Sequence, residues 1–163
     1  MSRHDVICIS SIDWDFIWQG HQEIMTRLAA SGHRVLFIEN TGVRPPRISD
    51  LPRLASRLRN WRRGTKGFRE ERANLFIHSP IVVPLPYSRI AQWLNRTILM
   101  RGINRWMRAV GVTRPVVWTF LPTPLAMELI RQLEPIATIY HCVDEFSASS
   151  PQARRIVSSE EDS

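Results

Sequence analysis

Apolar residues gather in five stretches of strand length: Asp5–Ser10, Arg34–Glu39, Asn74–Val83, Val116–Phe120 and Ile136–Val143. Within them apolar positions run together instead of alternating, as parallel strands covered on both faces require. Pro80 and Pro84 interrupt the third stretch, which predicts a short strand followed by an extended segment. The segments between have helical spacing. From Gly20 to Ser31, Ile24 and Leu28 share a face with Met25 beside them, and Gly32 supplies a C-terminal cap. Thr41 to Arg47 is a Gly/Pro loop; Leu51, Leu54, Leu58 and Trp61 follow at helical intervals with arginines between them. Ile90, Trp93, Leu94, Ile98, Ile103, Trp106, Met107 and Val110 mark a long amphipathic helix ending at Gly111. Leu125, Leu129 and Leu133 line a further helix, opened by Pro122-Thr123-Pro124 and stopped by Pro135. The order β-α-β-α-β-α-β-α-β predicts an α/β fold with a doubly wound, Rossmann-like parallel sheet.

A chain of 163 residues accommodates one such domain, expected over residues 1–146. Residues 147–163 read either as the start of a truncated connection or as a disordered acidic tail. Truncation is the favoured expectation, since Ser158 with Glu161, or Ser159 with Asp162, forms a capping box that no apolar face follows. The start of the chain has no secretory h-region or cleavage site, and no stretch is long and apolar enough to span a bilayer, so a cytoplasmic protein is expected. Cys8 and Cys142 both fall in apolar runs and read as buried thiols in a reducing compartment.

Charge changes the picture. The net charge is +7, and Arg44 to Arg72 holds ten basic residues against three acidic, an excess equal to that of the whole chain. Arg53, Arg57, Arg59, Arg62 and Arg63 surround the stripe of Leu51, Leu54, Leu58 and Trp61. Such a helix either lies on an anionic membrane surface, making the protein peripheral on the inner face of the cell membrane, or packs on the sheet with a solvated Arg face. Nucleic acid is not the expected partner, because no recognition motif accompanies the patch.

Ligands of open α/β sheets bind beyond the C-terminal ends of the strands. After the first strand, Ser10–Gln22 places Trp14, Trp18, two Asp, Gln19, Gly20 and His21 directly before a helix N-terminus, where backbone N–H groups favour phosphate. The rings stack on a sugar face or lipid stem, or else Trp14 and Trp18 plug the top of the sheet. Thr123 stands at the end of the fourth strand. Past the last strand, Asp144 and Glu145 put a carboxylate where it orients or deprotonates a hydroxyl, unless Asp144 caps the next helix. His141 reads as a core histidine or as a cleft residue. The first strand–helix junction has no dinucleotide fingerprint, and the chain has no phosphate-binding P-loop, metal-ligand spacing or nucleophile elbow.

The stretches Trp14-Asp-Phe-Ile-Trp-Gln-Gly-His-Gln-Glu23, Gly32-His-Arg-Val-Leu-Phe-Ile-Glu39, Val117-Trp-Thr-Phe-Leu-Pro-Thr-Pro124 and Tyr140-His-Cys-Val-Asp-Glu-Phe146 resemble group 1, family 4-like glycosyltransferases of bacterial polysaccharide pathways, among them the teichuronic-acid type. The resemblance runs from Asp5 to about Val157. It implies the N-terminal, acceptor-binding half of a GT-B fold, metal-independent and without a bound cofactor. A nucleotide sugar would be the donor substrate, held mainly by a C-terminal domain in cis or in trans. A lipid-linked or polysaccharide hydroxyl would be the acceptor. Trp18 to His21 would face the donor diphosphate, with Gln19 and His21 touching phosphate; Asp144, or else His141, would lie beside the acceptor hydroxyl. The family's paired donor-holding glutamates have no counterpart here, and of the Gly-Gly pattern some relatives carry in the first loop only Gly20 is present. On this reading the chain does not transfer sugar alone. Two other readings remain: a non-catalytic binding module for anionic lipid or glycan, and a nucleic-acid-binding protein driven by the Arg patch.

Overall fold

The computed structural model describes residues 3–40, 67–80, 88–121 and 123–142. Their order is β1 (Asp5–Ile9), α1 (Gly20–Ala30), β2 (Arg34–Ile38), β3 (Phe68–Arg72), β4 (Leu75–His78), α2 (Arg89–Val110), β5 (Val116–Thr119), α3 (Pro124–Leu133) and β6 (Ala137–Tyr140). The six strands form one sheet in the order β3-β4-β2-β1-β5-β6. All neighbours are parallel except β3 and β4, which form an antiparallel hairpin. The architecture is therefore α/β, with a mostly parallel sheet flanked by helices, consistent with a Rossmann-like fold. The helix expected around Leu51 to Trp61 lies outside the described residues.

The central strands are apolar on both faces because both faces are covered. Ile7, Ile9, Leu36, Ile38 and Val117 point toward Leu99, Ile103 and Trp106 of α2 and Leu129 and Leu133 of α3. Val6, Cys8, Val35 and Phe37 point the other way, with Met25 and Ala29 of α1 and with Trp14. A strand alternates its side chains, so one run of β-branched and aromatic residues feeds two cores.

At the N-terminal edge of the sheet, Arg34 donates to both oxygens of Asp5, at 2.5 and 2.9 Å, and also to the Val110 carbonyl at the end of α2. Both side chains of the ion pair are largely withdrawn from water. The guanidinium thus ties β1, β2 and α2 together, and removing it leaves a carboxylate and a carbonyl short of a donor. Arg34→Met is expected to cost about 2 kcal/mol, read as a lower urea midpoint; an unchanged midpoint would mean that water replaces the guanidinium without loss.

Four departures from the sequence reading have physical reasons. The β3 strand, Phe-Arg-Glu-Glu-Arg, is an edge with most residues exposed, so it carries neither an apolar run nor alternation; charge and an irregular register at Glu70 to Arg72 suit it to an unpaired edge. Asn74, at a φ of 66°, turns the hairpin. In α1 the buried residues are His21, Gln22, Met25 and Ala29, a stripe offset from Ile24 and Leu28, which are partly buried. β6 is exposed along its whole length as the opposite edge, and Cys142 just beyond it is exposed, not buried. The fourth departure is in α2. Ile103, Trp106 and Met107 are buried as expected, but Ile90, Trp93, Leu94 and Ile98 face solvent; Ala91, Asn95 and Leu99 take the core positions.

Two glycines permit the close packing around His78 at the end of β4. Gly67 has a φ of 83°, and a Cβ there would lie 2.6 Å from the Ser79 carbonyl oxygen. A Cβ on Gly102, in the middle of α2, would lie 2.9 Å from Nε2 of His78. A mid-helix glycine costs about 1 kcal/mol relative to alanine, and here it lets the helix approach the imidazole.

Candidate functional site

Strand order locates the site. From β1 the chain goes to β2 on one side, and β5 adds on the other. The chain therefore leaves β1 and β5 in opposite directions along the sheet, and this switch point between their C-terminal ends is where an open α/β sheet offers a ligand crevice. The loop from Ser10 to Gln19 follows β1, and Phe120 and Leu121 follow β5. The strand ladder continues past the strand ends: Ser10 N–H donates to Ile38 and Phe120 N–H to Ile9.

The first loop is held by two side chains that the sequence reading did not single out. Glu39, buried just past the end of β2, accepts the Trp14 N–H at 3.0 Å. Gln22, buried in the first turn of α1, donates to the Trp14 carbonyl at 3.2 Å and accepts the Gln19 N–H at 2.9 Å. A Gln three residues after the N-cap is a capping-box position, so the pattern was available in the sequence. Asp15 of the same loop pairs with Arg69 of the hairpin, at 2.9 Å to each oxygen.

The loop's residues then divide. Trp14 is buried, packed edge-on against Phe37 with ring centroids 5.0 Å apart, and plugs the top of the sheet. Trp18 is half exposed, edge-on to Trp14 at 5.7 Å, and donates its indole N–H to Glu23 at 3.2 Å. The Arg27 hydrogen bond, and after it the Trp18 one, holds the Glu23 carboxyl below its usual range. Gln19 is the extended N-cap of α1, and the space a side chain at Gly20 would enter is open.

His21 lies under this loop, buried on the first turn of α1. Its Nε2 is 3.0 Å from the Ser11 hydroxyl, and its ring lies 3.8 Å, centroid to centroid, from Phe120 at the end of β5. Burial, and secondarily the charge of His141, lowers its pKa to about 4. At neutral pH the imidazole is uncharged, so it offers hydrogen bonds and no cation. His141 follows β6 directly, its N–H bonded to the Thr119 carbonyl at 2.9 Å. Its half-buried ring lies 4.9 Å from Phe120 and 6.1 Å from Trp118. The structure thus brings His21 and His141 to the same phenylalanine. Ser11 and Phe120 complete the cluster; neither was distinguishable in sequence from ordinary loop and strand positions.

Thr123 caps α3, its hydroxyl accepting the Ala126 N–H at 3.2 Å, which occupies it structurally. Asp144 and Glu145 lie outside the described residues, as do Arg53, Arg57, Arg59, Arg62 and Arg63 and the segment 147–163. Among the described residues no three His, Cys, Asp or Glu side chains come together as a metal ion would require, and no helix is long and apolar enough to cross a membrane.

What the crevice offers chemically is a neutral imidazole bonded to a hydroxyl, a second imidazole, a half-exposed indole, and the first peptide groups of an 11-residue helix. These favour a polyhydroxylated or phosphorylated ligand over a strongly cationic one. Comparison with family models, with curated proteins and with solved structures returned no match.

Proposed function

We propose that this chain is the acceptor-side domain of a two-domain glycosyltransferase. It would act on a hydroxyl of a lipid-linked or polysaccharide acceptor, with a nucleotide sugar held mainly by a separate donor domain. The single observation that carries the reading is the gathering of Trp18, the α1 N-terminus, His21 and His141 at the point where strand order reverses. A sugar ring would stack on the Trp18 indole, and its hydroxyls would bond to the Ser11–His21 pair. The diphosphate of a donor would lie across the first turn of α1, around Gln19 and Gly20. Neutral His21 would contribute a hydrogen bond there and leave charge stabilisation to the helix dipole and the partner domain.

Carboxylate chemistry would fall to Asp144, a general base or orienting group for the acceptor hydroxyl. In the enzyme completed by its donor domain, Asp144→Asn is expected to lower turnover by about a hundredfold or more without changing the melting temperature. Wild-type turnover in that variant would remove Asp144 from the mechanism.

The binding reading is testable on the chain alone. Oligosaccharides and polyprenyl-phosphate sugars should shift the NMR signals of the His21 and His141 rings and of the Trp18 indole. Nucleotide sugars should bind weakly, and His21→Ala should weaken acceptor binding by about tenfold, the loss of one or two hydrogen bonds. Sub-micromolar affinity for a nucleotide sugar, or acceptor shifts confined to another face, would defeat the proposal.

A further inference from the structure

The outer face of α2 carries exposed apolar side chains and arginines together. Ile90, Trp93, Leu94 and Ile98 are spaced three and four apart, and so fall on one side of the helix. They stand in solvent: Ile90 is 78% exposed, Trp93 57% and Ile98 38%. Continuing the same intervals toward the C-terminus gives Arg101, Arg105 and Arg108, the first two and the last all exposed. The helix has five arginines and no acidic residue. Of the five, Arg96 points to α3 and pairs with Glu128 at 3.0 Å. The others, Arg89 included, lie among the exposed positions. An apolar group of this size on an exposed helix face marks an interaction site.

Topology fixes where it points. The carbonyl of Val110, at the far end of α2, meets Arg34 at the N-terminal edge of the sheet. The start of α2 therefore stands at the opposite edge, where the strands end and the crevice opens. The apolar end of the stripe is on the crevice side and the arginines trail away from it.

We propose that this face docks on an anionic lipid bilayer, with Ile90, Trp93, Leu94 and Ile98 entering the headgroup and acyl boundary and Arg101, Arg105 and Arg108 held by lipid phosphates. Charge complementarity selects this occupant. A second copy would set arginines against arginines. The basic segment from Arg44 to Arg72 of the same chain carries the same sign. A polyanion such as duplex DNA would satisfy the arginines and leave the aliphatic and indole groups with nothing to enter. Apolar insertion combined with a basic flank is the pattern of helices that lie in a membrane interface. The proposal holds whatever chemistry the crevice performs, and the arginines of α2 are separate from those at positions 53–63.

The test uses the whole chain with vesicles of equimolar phosphatidylglycerol and phosphatidylcholine, and with phosphatidylcholine alone. Cosedimentation is expected with the first, decreasing with added salt, and weak with the second. The charge reversal Arg101→Glu/Arg105→Glu and, separately, the apolar pair Ile90→Ser/Trp93→Ser should each weaken binding by about tenfold or more. Brominated lipid tails should quench wild-type emission, and Trp93→Phe should remove most of that quenching. The quenching experiment needs no destabilising change, so it stands even where a double variant folds poorly. Vesicle binding that is unchanged in both α2 variants would place the contact elsewhere, on the Arg44–Arg72 segment, and overturn the proposal. So would absent vesicle binding, absent Trp93 quenching, or salt-sensitive duplex DNA binding without lipid binding. Failure here leaves acceptor binding at His21 untouched, so the two proposals fail separately.

Discussion

Replacing Phe120 with alanine is expected to lower stability by about 3–5 kcal/mol, the usual cost of emptying a buried aromatic site. It is also expected to raise the pKa of His21 from about 4 toward its ordinary 6.5. The two effects share a cause. Phe120 is fully buried at the end of β5 and packs against the imidazoles of both His21 and His141. Without the ring, water reaches His21, and the largest contribution to its lowered pKa, burial, is relieved. The charge of His141 remains, so recovery toward 6.5 should be incomplete. Histidine ring signals followed by NMR against pH, together with urea unfolding, measure both quantities. A variant that loses stability while His21 still titrates near 4 would show that Phe120 is core packing alone, without influence on the crevice. A pKa that rises would identify Phe120 as the residue that keeps His21 neutral, and hence a hydrogen-bonding group, at physiological pH.

The same cluster shows what the sequence could and could not disclose. That Trp18 to His21 would lie at a strand end was legible, because a loop between an apolar run and a helical pattern has nowhere else to go in a parallel sheet. His141 read in sequence as a core histidine or a cleft residue; its place beside Phe120 depends on β6 pairing with β5, which the structure supplies. The Ser11–His21 contact was not legible: it depends on how far the helix is rotated, and α1 turns its His21–Gln22–Met25–Ala29 stripe inward where Ile24 and Leu28 suggested another. Helix α2 explains why such rotations escape periodicity. It carries two stripes at helical spacing, one through Ala91, Asn95 and Leu99 and one through Ile90, Trp93, Leu94 and Ile98. The more hydrophobic of the two is the solvent-facing one, so hydrophobicity alone selects the wrong face. β3 escaped for the opposite reason: an edge strand needs no apolar pattern, and its charges match what an unpaired edge requires. Glu39 illustrates a third limit, since it holds the first loop through the Trp14 N–H, a backbone group whose position no side-chain pattern encodes.

The second large effect concerns acid. His78 ends β4 with its ring buried, stacked on Phe68 at a centroid distance of 4.0 Å and pressed against α2 at Gly102. Its Nδ1 lies 3.4 Å from the Gly67 carbonyl, and its Nε2 has no hydrogen-bond partner among the described residues. Burial lowers its pKa to about 4, partly offset by the Gly67 contact. The folded state therefore keeps His78 neutral, whereas the unfolded chain protonates it near 6.5. As pH falls from 6.5 to about 4 the unfolded state binds a proton that the folded state refuses, so stability declines across that window and is at its full value above it. The gap corresponds to a loss on the order of 3 kcal/mol. His21 acts in the same direction. Urea midpoints of the wild type should therefore fall steeply between neutral pH and pH about 4. His78→Leu, which cannot titrate, should be less stable than the wild type at neutral pH by about 1 kcal/mol through lost stacking, yet decline more slowly, so that the two curves converge or cross in acid. Parallel curves would mean that the folded protein opens enough around Gly102 to protonate His78 in place, and that the sheet, α2 and the hairpin are less firmly joined there than their packing implies.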